Sequence, residues 1–382
     1  MRHLTIVLLS LFSVVGIAQN QCLTDRYAHN ATFDEADIIH HENVVYGNAT
    51  QLFSGVDQDL IMDVFEPDPA IDPLSARPLI VMIHGGAFYA GQRSDMNYMC
   101  MEFAKRGFVA ATVSYRLGWN CDPNAGIFTC AVCGGESASL LTAAYCAAQD
   151  GKAGIRFLLD DPSVYGVDPD WVFTGGLSAG AITALAIAFM DQAEADVLLP
   201  GAVAAAGPLD TSGNELTTPF SIKGVVNDCG AVFNASVIDA DEQIGVISFH
   251  DEFDCVVPYG NGNVLSCLGC TAFPAASGSS IIHNQLTNLE ICSELNTLQL
   301  SLGHCSWPQL NIVRRSSCFL KRQMCGVCTS SANNSTVAYS PCANLGVDAS
   351  TPSDCPSDLN ADGVVNAADL LEFLGAFGTV CP

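Results

Sequence analysis

The sequence predicts an α/β protein, a mostly parallel central sheet flanked by helices, with a small calcium-loop helical segment after it. Three observations predict this. From about residue 36, short apolar and β-branched runs alternate with helical patterns, which is how strands joined by crossover helices read. Two of these runs, Leu79–Ile83 and Val109–Val113, are almost continuously apolar, as strands buried on both faces must be. After Cys328 the rhythm stops, and a Ser-, Thr-, Asn- and Pro-rich stretch precedes a short acidic segment between Cys355 and Cys381.

The chain has 382 residues, 49% of them hydrophobic, enough for one large core and a small appendix. Residues 1–18 read as a signal peptide. Arg2 and His3 open it, Leu4 to Ile17 is apolar at h-region length, and Gly16 and Ala18 are small residues before a cut at Gln19. Its 14 mostly apolar residues are too few to span a bilayer, and no later stretch is long and apolar enough to do so. The expected localisation is therefore secreted. The expected boundaries are 19–328 for the main domain, 329–354 for a linker and 355–382 for the C-terminal segment.

The formal net charge is −26, and cleavage at residue 18 would remove one basic residue and no acidic one. Such a surface repels nucleic acid and anionic lipid, and suits a salty medium that screens it. All eighteen cysteines follow the leader. In an exported chain they read as a disulfide framework of up to nine bridges. Three pairs, Cys130/Cys133, Cys267/Cys270 and Cys325/Cys328, have C-x-x-C spacing. They lie too far apart in sequence to make a zinc-finger pattern, so bridges are expected there too.

Taken in order, the expected strands are Gln58–Phe65, Leu79–Ile83, Val109–Val113, Trp171–Thr174, Ile222–Val226, Ile244–Phe249 and Thr297–Leu300. The expected helices are Met96–Arg106, Ala143–Leu159, Ala179–Met190, His283–Leu295 and Asn311–Met324. The Gly- and Cys-rich stretch Trp119–Ser139 breaks the pattern and reads as a loop near the rim of a site. Gly207–Pro219 is a second irregular stretch.

Gly176-Leu177-Ser178-Ala179-Gly180 sits between the strand ending at Thr174 and the helix opening at Ala179. A strand-to-helix turn that sharp strains the backbone of its central residue, and small flanking residues keep the chains from colliding. Ser178 is therefore the expected nucleophile. His84-Gly85-Gly86-Ala87-Phe88 follows the strand Leu79–Ile83. A Gly-Gly turn there can present backbone N–H groups to an oxyanion. A serine hydroxyl needs a base, and the base needs orienting. His304 follows the last strand and fits, whereas His283 precedes it. Among Asp251, Glu252 and Asp254 after Phe249, Asp254 is the expected orienting acid, with Asp251 and Glu252 on an exposed turn. His40, His41 and His250 are expected to be structural.

These motifs carry a resemblance. The span from about Asp59 to Cys325 resembles α/β-hydrolase fold esterases of the carboxylesterase and hormone-sensitive-lipase-like kind. The matching runs are His84–Phe88, Val113-Ser114-Tyr115-Arg116-Leu117-Gly118, Ala153–Leu159 with Tyr165–Pro169, the serine turn, Asp254-x-Val256-Val257-Pro258 and Gly303-His304. The resemblance implies a secreted serine carboxylic-ester hydrolase with an acyl-enzyme and no cofactor for catalysis. It also implies oxyanion donors at Gly86, Ala87 and Ala179. Ala87 stands where such esterases often carry a third glycine. The serine turn and His250–Pro258 are also similar to secreted polyhydroxybutyrate depolymerases and feruloyl esterases. The substrate readings are thus acyl esters of polysaccharides, or a polyester or lipid. A non-catalytic binding protein on the same scaffold is the reading from another class.

In the C-terminal segment, Asp358, Asn360, Asp362, Asn366 and Asp369 place oxygen ligands at calcium-loop spacing. Gly363 supplies the sharp turn and Val364 a backbone carbonyl. The segment resembles one repeat of a type I dockerin, which normally has two. The resemblance implies Ca2+ and a cohesin-like or cell-surface partner.

Overall fold

Alternate residues of the central strands feed two separate cores. Leu79, Val81 and Ile83 pack on one side of the sheet, while Ile80 and Met82 pack on the other. Val109, Ala111 and Val113 likewise oppose Ala110. Side chains of a strand point alternately to opposite faces, so a strand apolar throughout needs a cover on both.

The computed structural model describes residue 22 and residues 24–119, 136–210, 212–268 and 273–334. The expected leader 1–18, most of the Trp119–Ser139 loop, the linker from residue 335 and the calcium-loop residues Asp358 to Asp369 lie outside the described residues. The first half runs β1 (Ile38–Thr50), β2 (Asp57–Pro67), β3 (Arg77–Ile83), α1 (Asn97–Ala104), β4 (Val109–Val113), α2 (Ser137–Asp160) and β5 (Val167–Leu177). Then come α3 (Ala179–Phe189), α4 (Gln192–Leu198), α5 (Pro200–Ala206), β6 (Ile222–Asp228), β7 (Ala231–Val232) and β8 (Gly245–Asp251). The described chain closes with β9 (Asn261–Asn263), β10 (Ala275–Gly278), α6 (Ser279–Asn288), β11 (Ser293–Leu298), α7 (Gln309–Met324) and β12 (Ser331–Asn333).

Nine strands form one sheet in the order β1-β2-β4-β3-β5-β6-β8-β11-β12. β2 runs antiparallel to both of its neighbours, and every other pairing in this sheet is parallel. α2, α3 and α6 cover one face, and α1 and α7 the other. A small antiparallel sheet, β7-β10-β9, stands beside it. Register decides where function can sit. Ile83 pairs with Gly176, Leu177 with Asp228, Asp228 with Phe249, and Asp251 with Leu298. The C-terminal ends of β3, β5, β6, β8 and β11 therefore open side by side, the usual place for a site in a parallel sheet.

Three expectations need correction. The last long strand is Ser293–Leu298, not Thr297–Leu300, and the helix before it ends at Asn288 rather than Leu295. The reason lies in polar burial. Glu294 and Asn296 point inward, where Arg322 meets Glu294 at 2.6 Å and Arg315 meets the Asn296 side chain. Such residues hide a strand from any search for apolar runs. β1 was not expected, because His40 to Asn43 and two register shifts interrupt its alternation at the sheet edge. β12, finally, pairs with β11 inside the segment expected to be linker. The short helices α4 and α5 also went unassigned. Asp191 and Glu194 cap α4 reciprocally, and Pro200 opens α5.

The cysteines pair across distance. Among the described residues the bridges include Cys22–Cys325, Cys229–Cys305, Cys255–Cys267 and Cys292–Cys328. Cys267, Cys325 and Cys328 thus ignore their C-x-x-C neighbours, which removes metal and redox roles from those motifs. Cys100 and Cys146 are buried free thiols, so the upper limit of nine bridges is too high. Burial pushes the Cys146 thiol up to about 12. Among the basic side chains, Arg77, Arg106, Arg116, Lys152, Arg156, Arg315 and Lys321 are buried, most of them against carboxylates or carbonyls. No helix of the described residues is long and apolar enough to cross a membrane.

Candidate active site

The turn after β5 forces Ser178 into φ 56°, ψ −121°, a conformation a residue with a side chain rarely adopts. Two glycines permit it. A Cβ on Gly180 would overlap the carbonyl oxygens of Ile83 and His84, and one on Gly176 would overlap the backbone of Gly180. The Ser178 N–H donates to the carbonyl of Asp228 at 2.9 Å, and the Ser178 carbonyl accepts from Ile182 at 3.0 Å. The side chain is thereby aimed out of the sheet end, at the N-terminus of α3.

His304 lies on the segment between β11 and α7. Its Nε2 is 2.8 Å from Ser178 Oγ, and its Nδ1 is 2.7 Å from Asp254 Oδ2. Asp254 stands on the turn after β8. Its Oδ1 accepts from the N–H groups of Val256 (2.8 Å) and Val257 (3.2 Å). Burial works against a charge on Asp254, but hydrogen bonds from His250 and His304 and the electrostatic pull of the two rings outweigh it, holding the carboxyl down at about 2. The structure thus brings together the three residues read from the sequence, in the order expected.

The His84–Phe88 turn is braced from behind. The His84 ring stacks on Tyr115 at 4.4 Å, and the Tyr115 hydroxyl donates to the His84 carbonyl at 3.0 Å. Trp119 Nε1 donates to the Ala87 carbonyl at 2.9 Å, and Gly118 N–H donates to the Phe88 carbonyl at 2.7 Å. Gly86, Ala87 and Phe88 all have positive φ. A Cβ on Gly86 would overlap the Ala90 carbonyl. Ala87 and Ala179 line the same small cavity as Ser178, with Gly86 one residue upstream. The Ala179 N–H is at the first position of α3, where helices have no internal partner for it. Arg116, in the bracing segment, is itself buried in a forked pairing with Asp150.

Sequence reasoning missed two partners. His250 is fully buried, and its Nε2 lies 3.4 Å from Asp254 Oδ2 and 3.1 Å from the Val257 carbonyl. Its Nδ1 is 2.7 Å from Ser279 Oγ, which accepts from Asn227 Nδ2 at 3.0 Å. A line of polar groups therefore runs from Asn227 through Ser279, His250, Asp254 and His304 to Ser178. The four-residue spacing of His250 and Asp254 was the available signal. Asp251 is not on an exposed turn. It is fully buried, accepting from Ser306 N–H at 2.9 Å and from the Ser301 hydroxyl, and so holds the His304 segment at two points. Glu252 accepts from Leu300 N–H at 2.8 Å in the same segment. His283 hydrogen-bonds Ser293 instead. Cys229, His304 and Cys305 place ligand-type atoms close together, but the two sulfurs are joined, so no thiolate is available to a metal.

Parts of the chain are similar to known proteins. Residues 20–120 match the carboxylesterase family. The chain is 32% identical to the para-nitrobenzyl esterase of Bacillus subtilis (strain 168) over 136 residues, 35% of this chain and 25% of that protein. It is 32% identical to the neuroligin-like protein glit-1 of Caenorhabditis elegans over 127 residues, 33% of this chain and 15% of that protein. The chain spans a quarter or less of the length of these curated relatives. Among solved structures, a truncated carbohydrate esterase from gut microbiota superposes with a TM-score of 0.51 at 17% identity, over 78% of this chain and 100% of that one. The fold is that of the α/β-hydrolases.

In this α/β-hydrolase fold one carboxyl is left over. Asp228, at the end of β6, is fully buried, and neither side-chain oxygen has a hydrogen-bond partner. Burial first, and then the nearby charges of Asp251 and Asp254, raise its pKa far above the ordinary carboxyl value. The folded chain therefore keeps a proton that the unfolded chain loses through about pH 4. Stability from this group is full below the unfolded pKa and declines as pH rises toward the folded one. Asp228→Asn removes that decline. The melting-temperature difference between variant and wild type should grow steadily more favourable to the variant from pH 4 to pH 8. A difference that stays flat with pH means that Asp228 is ionised in the folded chain.

Proposed function

We infer that the chain is a serine carboxylic-ester hydrolase, with Ser178 as nucleophile, His304 as general base and acid, and Asp254 as the carboxylate that orients the imidazole. The hydrogen-bonded line Asp254–His304–Ser178 carries this reading. His304 takes the Ser178 proton as Oγ attacks the ester carbonyl. The developing oxyanion turns toward the N–H groups of Gly86, Ala87 and Ala179, each worth about 3 kcal/mol. His304 returns the proton to the leaving alcohol, and water then repeats the sequence on the acyl-enzyme. Every step uses groups of the chain and water.

The acyl side is small. The cavity beside Ser178 is about 30 Å3, walled by Ala87, Phe88, Ile182, Phe233, Val257 and Leu265. Its small size and apolar walls suit a short acyl group. Behind Ile182 and Phe233 lies an apolar cavity of about 220 Å3. A short acyl group favours acyl esters of polysaccharides over polyester or triglyceride. An exported chain, with its C-terminal segment holding Ca2+ through Asp358, Asn360, Asp362, Val364, Asn366 and Asp369, suits such a polymer. Calcium titration of the full chain checks the last point.

A p-nitrophenyl ester series tests the whole. The expected kcat/KM is highest for acetate or propionate and falls at least about tenfold by octanoate, roughly 1.4 kcal/mol. Phe233→Ala, which opens the wall to the larger cavity, narrows that gap. A serine-reactive phosphonate labels Ser178 alone. Absence of both turnover and label selects the binding-protein reading. Preference for octanoate or longer selects the lipase and polyester readings.

A further inference from the structure

His304 is the least supported member of the site. Asp254 is held by two N–H groups of its own turn and by His250. Ser178 is fixed by the turn that opens α3. His304, in contrast, belongs to a stretch without helix or strand between Leu298 and Gln309. The apolar side chains upstream of it do not anchor it, since Leu300 and Leu302 are each 79% exposed. The polar anchors, Asp251 and Glu252, act on Leu300, Ser301 and Ser306 and not on His304 itself.

The residue directly after His304 is Cys305, bridged to Cys229. Cys229 is fully buried and directly follows Asp228, whose carbonyl receives the Ser178 N–H. Cys229 also donates its own N–H to the Phe249 carbonyl of β8 at 2.7 Å. One covalent link thus fastens the histidine to the strand end that fixes the serine. Both half-cystines have left-handed backbones, φ 51° at Cys229 and φ 54° at Cys305. Residues other than glycine do not stay there unless their surroundings hold them.

We propose that Cys229–Cys305 is a positioning bridge for His304: it holds the imidazole within reach of Ser178 Oγ and acts on turnover rather than on substrate binding. This rests on the ester-hydrolase reading above. Opening the bridge lets Cys305 relax toward negative φ and carries the ring with it. A displacement of about 1 Å in a catalytic group costs up to 10²-fold in rate.

The test compares Cys229→Ser/Cys305→Ser with Cys292→Ser/Cys328→Ser, a bridge at the opposite end of β11, both in the full chain. Both variants should melt at lower temperature than wild type. Only the first should lose kcat on p-nitrophenyl acetate, by roughly 10- to 100-fold, with KM within about threefold, and it should label with the phosphonate correspondingly more slowly. A folded first variant that keeps kcat within twofold overturns the proposal, as does an equal kcat loss in both variants. If the first variant does not fold, graded reduction of the wild type with mass-mapped thiol alkylation replaces it. Activity should then track opening of Cys229–Cys305 and not of Cys292–Cys328, and activity that survives opening of the former overturns the proposal. A wild type that neither turns over esters nor takes the label overturns the hydrolase reading, and this proposal with it.

Discussion

Ser178→Ala lowers kcat for p-nitrophenyl acetate by on the order of 10⁶-fold while leaving the melting temperature within a few degrees. The size follows from the geometry. His304 Nε2 has the Ser178 hydroxyl 2.8 Å away, so removing it leaves the base with no nucleophile to activate. The proposed oxyanion donors remain, and serine-hydrolase sites keep roughly 10³–10⁴-fold over water from such donors and from binding alone. Stability should hold because alanine fits the same backbone conformation and Ser178 Oγ makes no bond that the fold depends on. Asp254→Asn is the companion. It keeps the shape but offers His304 the wrong tautomer, and kcat should fall by about 10⁴-fold. Residual kcat in Ser178→Ala within a hundredfold of wild type would place the nucleophile elsewhere.

Gly180→Ala lowers stability by roughly 3–5 kcal/mol, read as a fall in the urea midpoint. The methyl group has no flexible side chain to push aside. It meets the backbone oxygens of Ile83 and His84, at the end of β3. Either α3 lifts off the sheet or the turn after β5 opens, and both move Ser178 away from His304. Activity should therefore fall together with stability, unlike in Ser178→Ala, where the two separate. An unchanged urea midpoint would mean that β3 and α3 have slack between them.

The sheet interior was legible because burial on both faces writes itself as apolar runs, as at Leu79–Ile83 and Val109–Val113. Strands that bury polar groups in pairs were not. β11 carries Glu294 and Asn296 toward Arg322 and Arg315, partners that lie on a helix after it in the chain. The edge strand β1 escaped for the opposite reason: it is half exposed and bulged, and its period is broken. Ser178, His304 and Asp254 were readable because each follows a strand within a few residues. His250 and Asp251 were harder, since their work is done by burial and by bonds to residues 279, 301 and 306, which spacing does not show. The pairing of Cys229 with Cys305 was invisible for the same reason, although the adjacency of Cys305 to His304 was in plain view.

The inward turn of the basic side chains has a consequence at long range. Half of the fourteen lysines and arginines are buried, most of them beside carboxylates within the fold, so they contribute little to the outer field. What an approaching molecule meets is close to a pure polyanion, more one-sided than the net charge alone conveys. A polymer bearing carboxylate or sulfate groups would be repelled by such a surface on its way to the cavity beside Ser178, and added salt would lower that barrier. An uncharged acylated chain feels none of it. On the ester-hydrolase reading, selection between substrates would begin some ten ångströms out, in the solvent, by charge, and only the second choice, by acyl length, would fall to the cavity that Ile182 and Phe233 line.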